Sequence, residues 1–270
     1  VGRSYDTVSF LSDFGLRDEF VGVVKSVIRD VAPHAVVIDL THDIPAHDVR
    51  AGSLALARAV PYVASGVVLA IVDPGVGTDR RAVAIEVADG EGVFVGPDNG
   101  LLAAAVALTG GAQRSVALTD STYHLESAGG TFAGRDIFGP VVGHLCAGVD
   151  IEEFGERVDP ITLLPGTLPI SREEDGAIIA EVLWVDTYGN VQLNVDRDEL
   201  DTLGDPVTIT HGGDKTRVVH RADAYASIRA GGIGIVVDAY GLASLSGDRS
   251  SAAEALKLRA GDAVTLRAAD

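Results

Sequence analysis

Apolar and polar positions follow two different rhythms along this chain, and the change falls near Pro160. Before it, short apolar runs alternate with stretches of helical period. Thr7–Leu11 is short and β-rich. After "SDFG", Asp18 is placed to cap a helix whose apolar face carries Phe20, Val23, Val24, Val27, Ile28 and Val31. Ala35–Leu40 reads as a second strand, and Asp48–Val60 as a helix stopped by Pro61. Val67–Val72 is continuously apolar, the signature of a strand covered on both faces in a parallel sheet. Strands at Ala82–Val87 and Val93–Val95 follow, then the turn "GPDNG" and helices at Leu101–Leu108 and Asp136–Ala147. This alternation predicts an α/β layered domain with a largely parallel sheet.

"DPITLLPGTLPISREEDG", starting at Asp159, is punctuated by prolines, glycines and charges, which marks a linker. Short β-rich runs follow at Ala177–Val185, Val191–Val195, Val207–His211, Thr216–His220, Ile233–Val237 and Ala263–Arg267, with a helix near Ser251–Leu258. They predict a small β-barrel or β-sandwich. The expected organisation is an N-terminal domain over 1–165, a linker over 166–175 and a C-terminal domain over 176–270.

The chain has 270 residues, 47% of them hydrophobic and 22% charged, enough to build a sizeable core. Its formal net charge of −18 repels phosphate backbones and anionic lipid, so neither nucleic acid nor a membrane is an expected partner. Such a surface tolerates a cationic small ligand, although acidity also serves solubility alone. Cys146 is the single cysteine; no intrachain disulfide can form, and its apolar surroundings predict a buried structural thiol. No apolar run is long enough for a membrane span and the first residues lack a signal-peptide pattern, so a soluble cytoplasmic protein is expected.

Several common chemistries lack their residues. There is no G-x-G-x-x-G after a strand, no P-loop, no C-x-x-C, no H-E-x-x-H and no G-x-S-x-G. No metal site is expected; His42 and His47 in "THDIPAHD" read as a structural loop pair. What remains is a set of polar, mostly glycine-bearing loops at strand ends or helix starts: "LSDFG", "THDIPAHD", "VDPGVGTDRR", "GGTFAGRD" and, in the β-rich half, "VDTYGN". Ligands of open α/β sheets collect at such places. Asp13 or Asp73 alone would serve equally well as a turn cap; five such loops together exceed what turns require.

As a set, "LSDFG", "THDIPAHDV", "VDPGVGTDRR", "VGPDNGLL", "TFAGRDIF" and "DTYGNVQLN" resemble the SAM hydroxide adenosyltransferases, relatives of the SAM-dependent fluorinase and chlorinase. The resemblance runs over nearly the whole chain. It implies an α/β domain joined to a C-terminal β-barrel, in a homotrimer whose ligand lies between one subunit's N-terminal domain and a neighbour's C-terminal domain. It also implies hydrolysis of S-adenosyl-L-methionine (SAM) to adenosine and L-methionine by water attacking C5′, with SAM as substrate and no cofactor. By resemblance Asp73 and Arg80 are catalytic. Ala133 stands where the family carries a catalytic His. Asp13 would hold the ribose hydroxyls, and His47 occupies the place of an aromatic in the fluorinase. Asn190 would bond adenine, Asp186 the methionine amine, and Tyr188 and Tyr240 would wall the base. Ser246 and Arg249 would meet the methionine carboxylate. Two other readings follow from single positions. A halogenase-like substitution is one, although Asp73 replaces the halogenases' non-acidic aromatic. A SAM or adenosine binder with little turnover is the other, because of Ala133.

The chemistry explains the residue types. Methionine leaves as a neutral thioether, so no acid is needed, only a placed nucleophile in a dry site. Full proton transfer from water (pKa about 15.7) to a free Asp (about 3.9) would cost about 16 kcal/mol. Asp73 therefore orients water and takes its proton late, as the C5′–O bond forms, while Arg80 steadies the developing charge.

Overall fold

The computed structural model describes residues 2–213 and 215–269. The chain divides into two compact units, Val1–Leu168 and Pro169–Asp270.

The first unit holds β1 (Thr7–Ser12), α1 (Phe20–Val31), β2 (Val36–Thr41), α2 (Val49–Ala59), β3 (Gly66–Ile71), β4 (Ala82–Val87), β5 (Gly92–Pro97), α3 (Ala103–Leu108), β6 (Arg114–Ala117) and α4 (Gly139–Cys146). Its six strands form one sheet in the order β2-β1-β3-β5-β4-β6. The β2-β1-β3-β5 pairings are parallel, while β4 runs antiparallel to both neighbours. The largely parallel sheet expected from the apolar runs is the one that forms.

Strand β3 is buried along its whole length, as its unbroken apolar run requires. Alternate side chains feed two cores. Phe10, Leu69 and Ile71 pack with Val24 and Ile28 of α1 and Val141 and Leu145 of α4. Leu11, Val68 and Ala70 pack with Leu56 of α2 and Ala105 and Val106 of α3. The sheet is thus the middle of three layers. Edge strand β2 is different, leaving Val36 and Ile38 exposed.

Helix α2 is capped by Asp48, whose carboxylate accepts the Ala51 N–H at 2.8 Å. Asp18 does not cap α1: the helix starts at Phe20, and Glu19 at the cap position makes no side-chain capping bond. The helix expected from Asp136 also differs. A π-helical turn spans Gly134–Phe138, and α4 begins at Gly139 with Pro140 in its first turn. Wide turns of this kind are frequent at functional sites.

The second unit holds β7 (Arg172–Glu174), β8 (Ala177–Val185), β9 (Val191–Asp196), α5 (Arg197–Asp201), β10 (Val207–His211), β11 (Lys215–Arg221), β12 (Ile233–Val237), β13 (Leu242–Gly247), α6 (Ala252–Leu256) and β14 (Ala263–Ala268). The order β14-β10-β11-β12-β13-β9-β8 closes on itself through the β14–β8 pairing. A closed barrel removes the edges that a sandwich would leave. Only the β11–β12 pairing is parallel among these ladders. Inward residues such as Val182, Leu193, Ile209, Ile235, Leu245 and Leu266 fill the barrel. Strand β7, added outside β8, lies within the stretch 166–175.

Candidate active site

In the first unit, Asp13 follows β1 directly and Asp73 follows β3 by two residues. β1 and β3 are neighbours in the sheet, so the parallel topology brings both acids to one end. A cavity of about 220 Å³ opens there. Asp13, His47, Asp73 and Ala133 line it, together with Phe14, Phe20 and Phe132.

Asp73 and Arg80 are locked together. Arg80 Nε donates to both Asp73 oxygens, at 2.9 and 3.0 Å, and Nη2 donates to Oδ2. Their side chains are only 6% and 14% exposed, Asp73 being the more buried. The Arg80 guanidinium carbon lies 5.3 Å from the centre of the Phe138 ring, a cation–π contact that steadies its plane. Gly75 makes room for the stem: a Cβ there would stand 3.2 Å from Arg80 Cγ. The glycine in "DPGVG" therefore serves the arginine directly. Arg81 has another task. It binds Asp98 at 2.8 Å through Nε and Thr162 Oγ1 at 3.1 Å through Nη1. Asn99 of the "GPDNG" turn donates to the Val72 carbonyl at 2.8 Å, tying that turn to the chain leading into Asp73.

Asp13 Oδ2 accepts the backbone N–H of His47 at 2.9 Å, and His47 adopts a left-handed φ of 67°. A non-glycine residue held in that region signals a backbone fixed by its surroundings. Ser12 and His42 supply part of that fixing. Both are buried; Ser12 Oγ lies 2.7 Å from His42 Nδ1 and accepts the Phe14 N–H at 3.3 Å. The Gly15 N–H donates to the His42 carbonyl at 2.8 Å. His42 thus holds the loop that presents Asp13, while His47, the other histidine of "THDIPAHD", lines the cavity.

In the second unit a cavity of about 520 Å³ is lined by Tyr188, Asn190, Arg249, Tyr225, Ser250, Ser251 and Gly247. The first three were expected from the sequence. Asp186 lies beneath them and is spent on the loop: Oδ1 accepts the N–H groups of Tyr188 and Asn190 at 2.9 and 2.8 Å, and Oδ2 accepts Asn190 Nδ2 at 2.7 Å. Gly189, at φ +81°, has no substitute, because a Cβ would fall 2.1 Å from Ser251 Oγ. Ser246 is fully buried, its Oγ 3.3 Å from Ser244 Oγ, and does not line the cavity. Tyr240 also stands outside the lining, edge-on to Trp184 at 6.4 Å. Sequence reasoning missed Tyr225; Ser250 and Ser251 close the segment "LSGDRSS", from which the resemblance had drawn Ser246 and Arg249. Burial raises the Tyr225 phenol pKa above its ordinary value, with Asp186 and then Asp238 adding to it. No local pattern marks "DAYASI" as part of a site; only its place in the barrel does.

Among the described residues no cluster of His, Cys, Asp and Glu is suited to hold a metal ion, and no helix is long and apolar enough to cross a membrane.

An α/β layer with two acids at neighbouring strand ends, followed by a closed barrel with its own aromatic cavity, defines a two-unit ligand-binding protein with a buried carboxylate–guanidinium couple. Residues 8–155 match the family model for the SAM hydroxide adenosyltransferase N-terminal domain, and residues 180–265 match that for the C-terminal domain. The chain belongs to this family. It is 39% identical over 261 residues to an (R)-S-adenosyl-L-methionine hydrolase of Salinispora tropica, covering 97% of each chain. A fluorinase of Nocardia brasiliensis is more distant, 25% identical over 222 residues and 73% of each chain. The crystal structure of an uncharacterized conserved protein from Thermotoga maritima superposes with a TM-score of 0.88 at 31% identity, covering 96% of this chain and 99% of that one.

Proposed function

We propose that this protein hydrolyses SAM to adenosine and L-methionine, with the (R) epimer at sulfur, for which its relatives are named, as the preferred substrate. The observation that carries the reading is the buried Asp73–Arg80 couple, whose Asp73 lines a cavity that also presents Asp13, with Arg80 behind it and outside the lining. In this reading Asp13 binds the ribose hydroxyls and places C5′ near Asp73. A water held by Asp73 attacks C5′; the C5′–O bond forms as the C5′–S bond breaks, and the bonding pair stays on sulfur as neutral methionine. Asp73 takes the proton late and returns it to solvent. A carboxylate offers about four lone-pair sites. Arg80 uses three donor contacts, leaving Asp73 room for a water.

Tyr188, Asn190 and Tyr225 would take the adenine, and Arg249 with Ser250 and Ser251 the methionine carboxylate. Asp186 would act on the amine through the loop it organises, while Tyr240 and Ser246 would act only from behind the lining. The first cavity, at about 220 Å³, is smaller than ordinary ligand pockets of about 300–1,000 Å³. In this reading a neighbouring subunit's barrel unit completes the site, in the homotrimer that the family resemblance implies.

A halide nucleophile is disfavoured here. Two like charges 4 Å apart repel by about 4 kcal/mol at an effective dielectric near 20, and Asp73 supplies one of them. Ala133 supports a second reading, a binder of low turnover, because it lines the cavity and brings no proton acceptor. One experiment separates the readings: incubation with each SAM epimer in H₂¹⁸O, with adenosine measured by chromatography and mass. Hydrolysis at C5′ puts ¹⁸O in the adenosine 5′-hydroxyl. Adenosine no higher than the enzyme-free blank would leave only the binder.

A further inference from the structure

Three phenylalanines from three separate segments meet on the wall of the first cavity. Phe14 follows β1, Phe20 opens α1, and Phe132 precedes the π-helical turn. Ring centroids lie 5.9 Å apart for Phe14–Phe20, 6.0 Å for Phe14–Phe132 and 5.1 Å for Phe20–Phe132. The planes meet at 67°, 78° and 66°, so the rings enclose a corner instead of stacking. Gly134 permits this, since a Cβ there would lie 3.2 Å from a ring carbon of both Phe14 and Phe132. Core packing alone does not account for the group, because Phe20 remains 38% exposed. Phe132 already takes a cation: the Arg135 guanidinium carbon lies 5.3 Å from its ring centre, with its charge answered by Asp136 at 2.6 Å.

We propose that Phe14, Phe20 and Phe132 form the sulfonium-recognition corner of this site. The proposal rests on SAM being the substrate and adds which residues read its charge. A cation over an aromatic face is attracted by the ring quadrupole, the interaction that aromatic cages use for quaternary ammonium groups. The physical consequence is specific. Sulfur loses its positive charge as the C5′–S pair collapses onto it, so the attraction is greatest in the ground state and gone in the products. The rings therefore strengthen substrate binding and favour release of methionine. They do not accelerate the chemical step, because only interactions stronger in the transition state do that.

Phe14→Leu and Phe20→Leu test this, leucine keeping an apolar wall without a π face. Calorimetry gives Kd for SAM and for S-adenosylhomocysteine, the neutral thioether of nearly the same shape, beside KM and kcat for SAM. Each substitution is expected to weaken SAM binding by about 2- to 30-fold. S-adenosylhomocysteine should move less than about twofold, KM should rise with Kd, and kcat should hold or increase. Phe20, half exposed, keeps the test available should Phe14→Leu fold poorly. Equal losses for both ligands, or no loss for either, would reduce the rings to packing and overturn the proposal; the hydrolase reading would survive if the wild type still forms adenosine. A wild-type protein that binds neither ligand would overturn both.

Discussion

Replacing Asp73 by Asn keeps the side chain's shape and removes its charge. Arg80 then stays in place, 14% exposed at its side chain, facing an amide instead of a carboxylate. Breaking a buried ion pair from one side costs about 3–5 kcal/mol, because the remaining charge is left uncompensated. At about 2–4 °C per kcal/mol for a chain of this size, the melting temperature should fall by about 6–20 °C. Turnover should fall by about 10²–10⁴, the usual contribution of a positioned proton acceptor. A second substitution separates the two effects. Adding Arg80→Leu to Asp73→Asn removes the orphaned charge and should restore part of the lost stability, the buried Asn amide still lacking its partner. It should restore no activity. Differential scanning fluorimetry and adenosine chromatography on the single and double variants read the two quantities side by side. An Asp73→Asn protein with wild-type melting and wild-type turnover would refute both the energetic account and the proton-acceptor role. A double variant that recovers stability and activity together would refute the role alone.

Three further outcomes are expected. Ala133→His places an imidazole on the cavity wall, and kcat should rise at least about tenfold if a further proton acceptor is limiting; an unchanged kcat would mean Asp73 and Arg80 suffice. Burial lowers the His144 pKa below its ordinary value, so the unfolded chain binds more protons there. Its stabilising share is present above the unfolded pKa of about 6.5 and is lost as pH falls toward the lower folded value. Wild-type melting should therefore drop more steeply below about pH 6.5 than that of His144→Gln. Cys146 is buried, and burial first, then Asp6, pushes its thiol up to about 12, so a thiol reagent at pH 8 should label it only after denaturation; rapid labelling of the native protein would contradict this placement.

The layered half of the fold was legible because its strands are continuous apolar runs, with β3 the extreme case. Strand β13 escaped notice because its buried positions include Ser244 and Ser246, which dilute the apolar signal that marks a strand. The expected Asp18 cap failed for a local reason: a capping acid at a loop end is common, but the chain enters α1 two residues later without using it. At the site, the acids could be read because they stand directly after apolar strands. Which of two adjacent arginines faces Asp73 was indicated by the family resemblance alone, since it depends on the path of the loop. Tyr225 lay beyond reach for the same reason, its position being set by how the barrel closes and not by its neighbours in sequence.

Arg80 and Arg81 depart from consecutive positions toward different partners, one to Asp73 and the other to Asp98 and Thr162. Both stand immediately before β4, whose pairing with β5 and β6 fixes the register of the chain from Ala82 onward. The division of labour between the two guanidiniums is therefore anchored by the strand that follows them and not by the turn that precedes them. Exchanging their partners would take a one-residue slip of β4 against both neighbours, which would also turn its buried side chains to the opposite faces of the sheet.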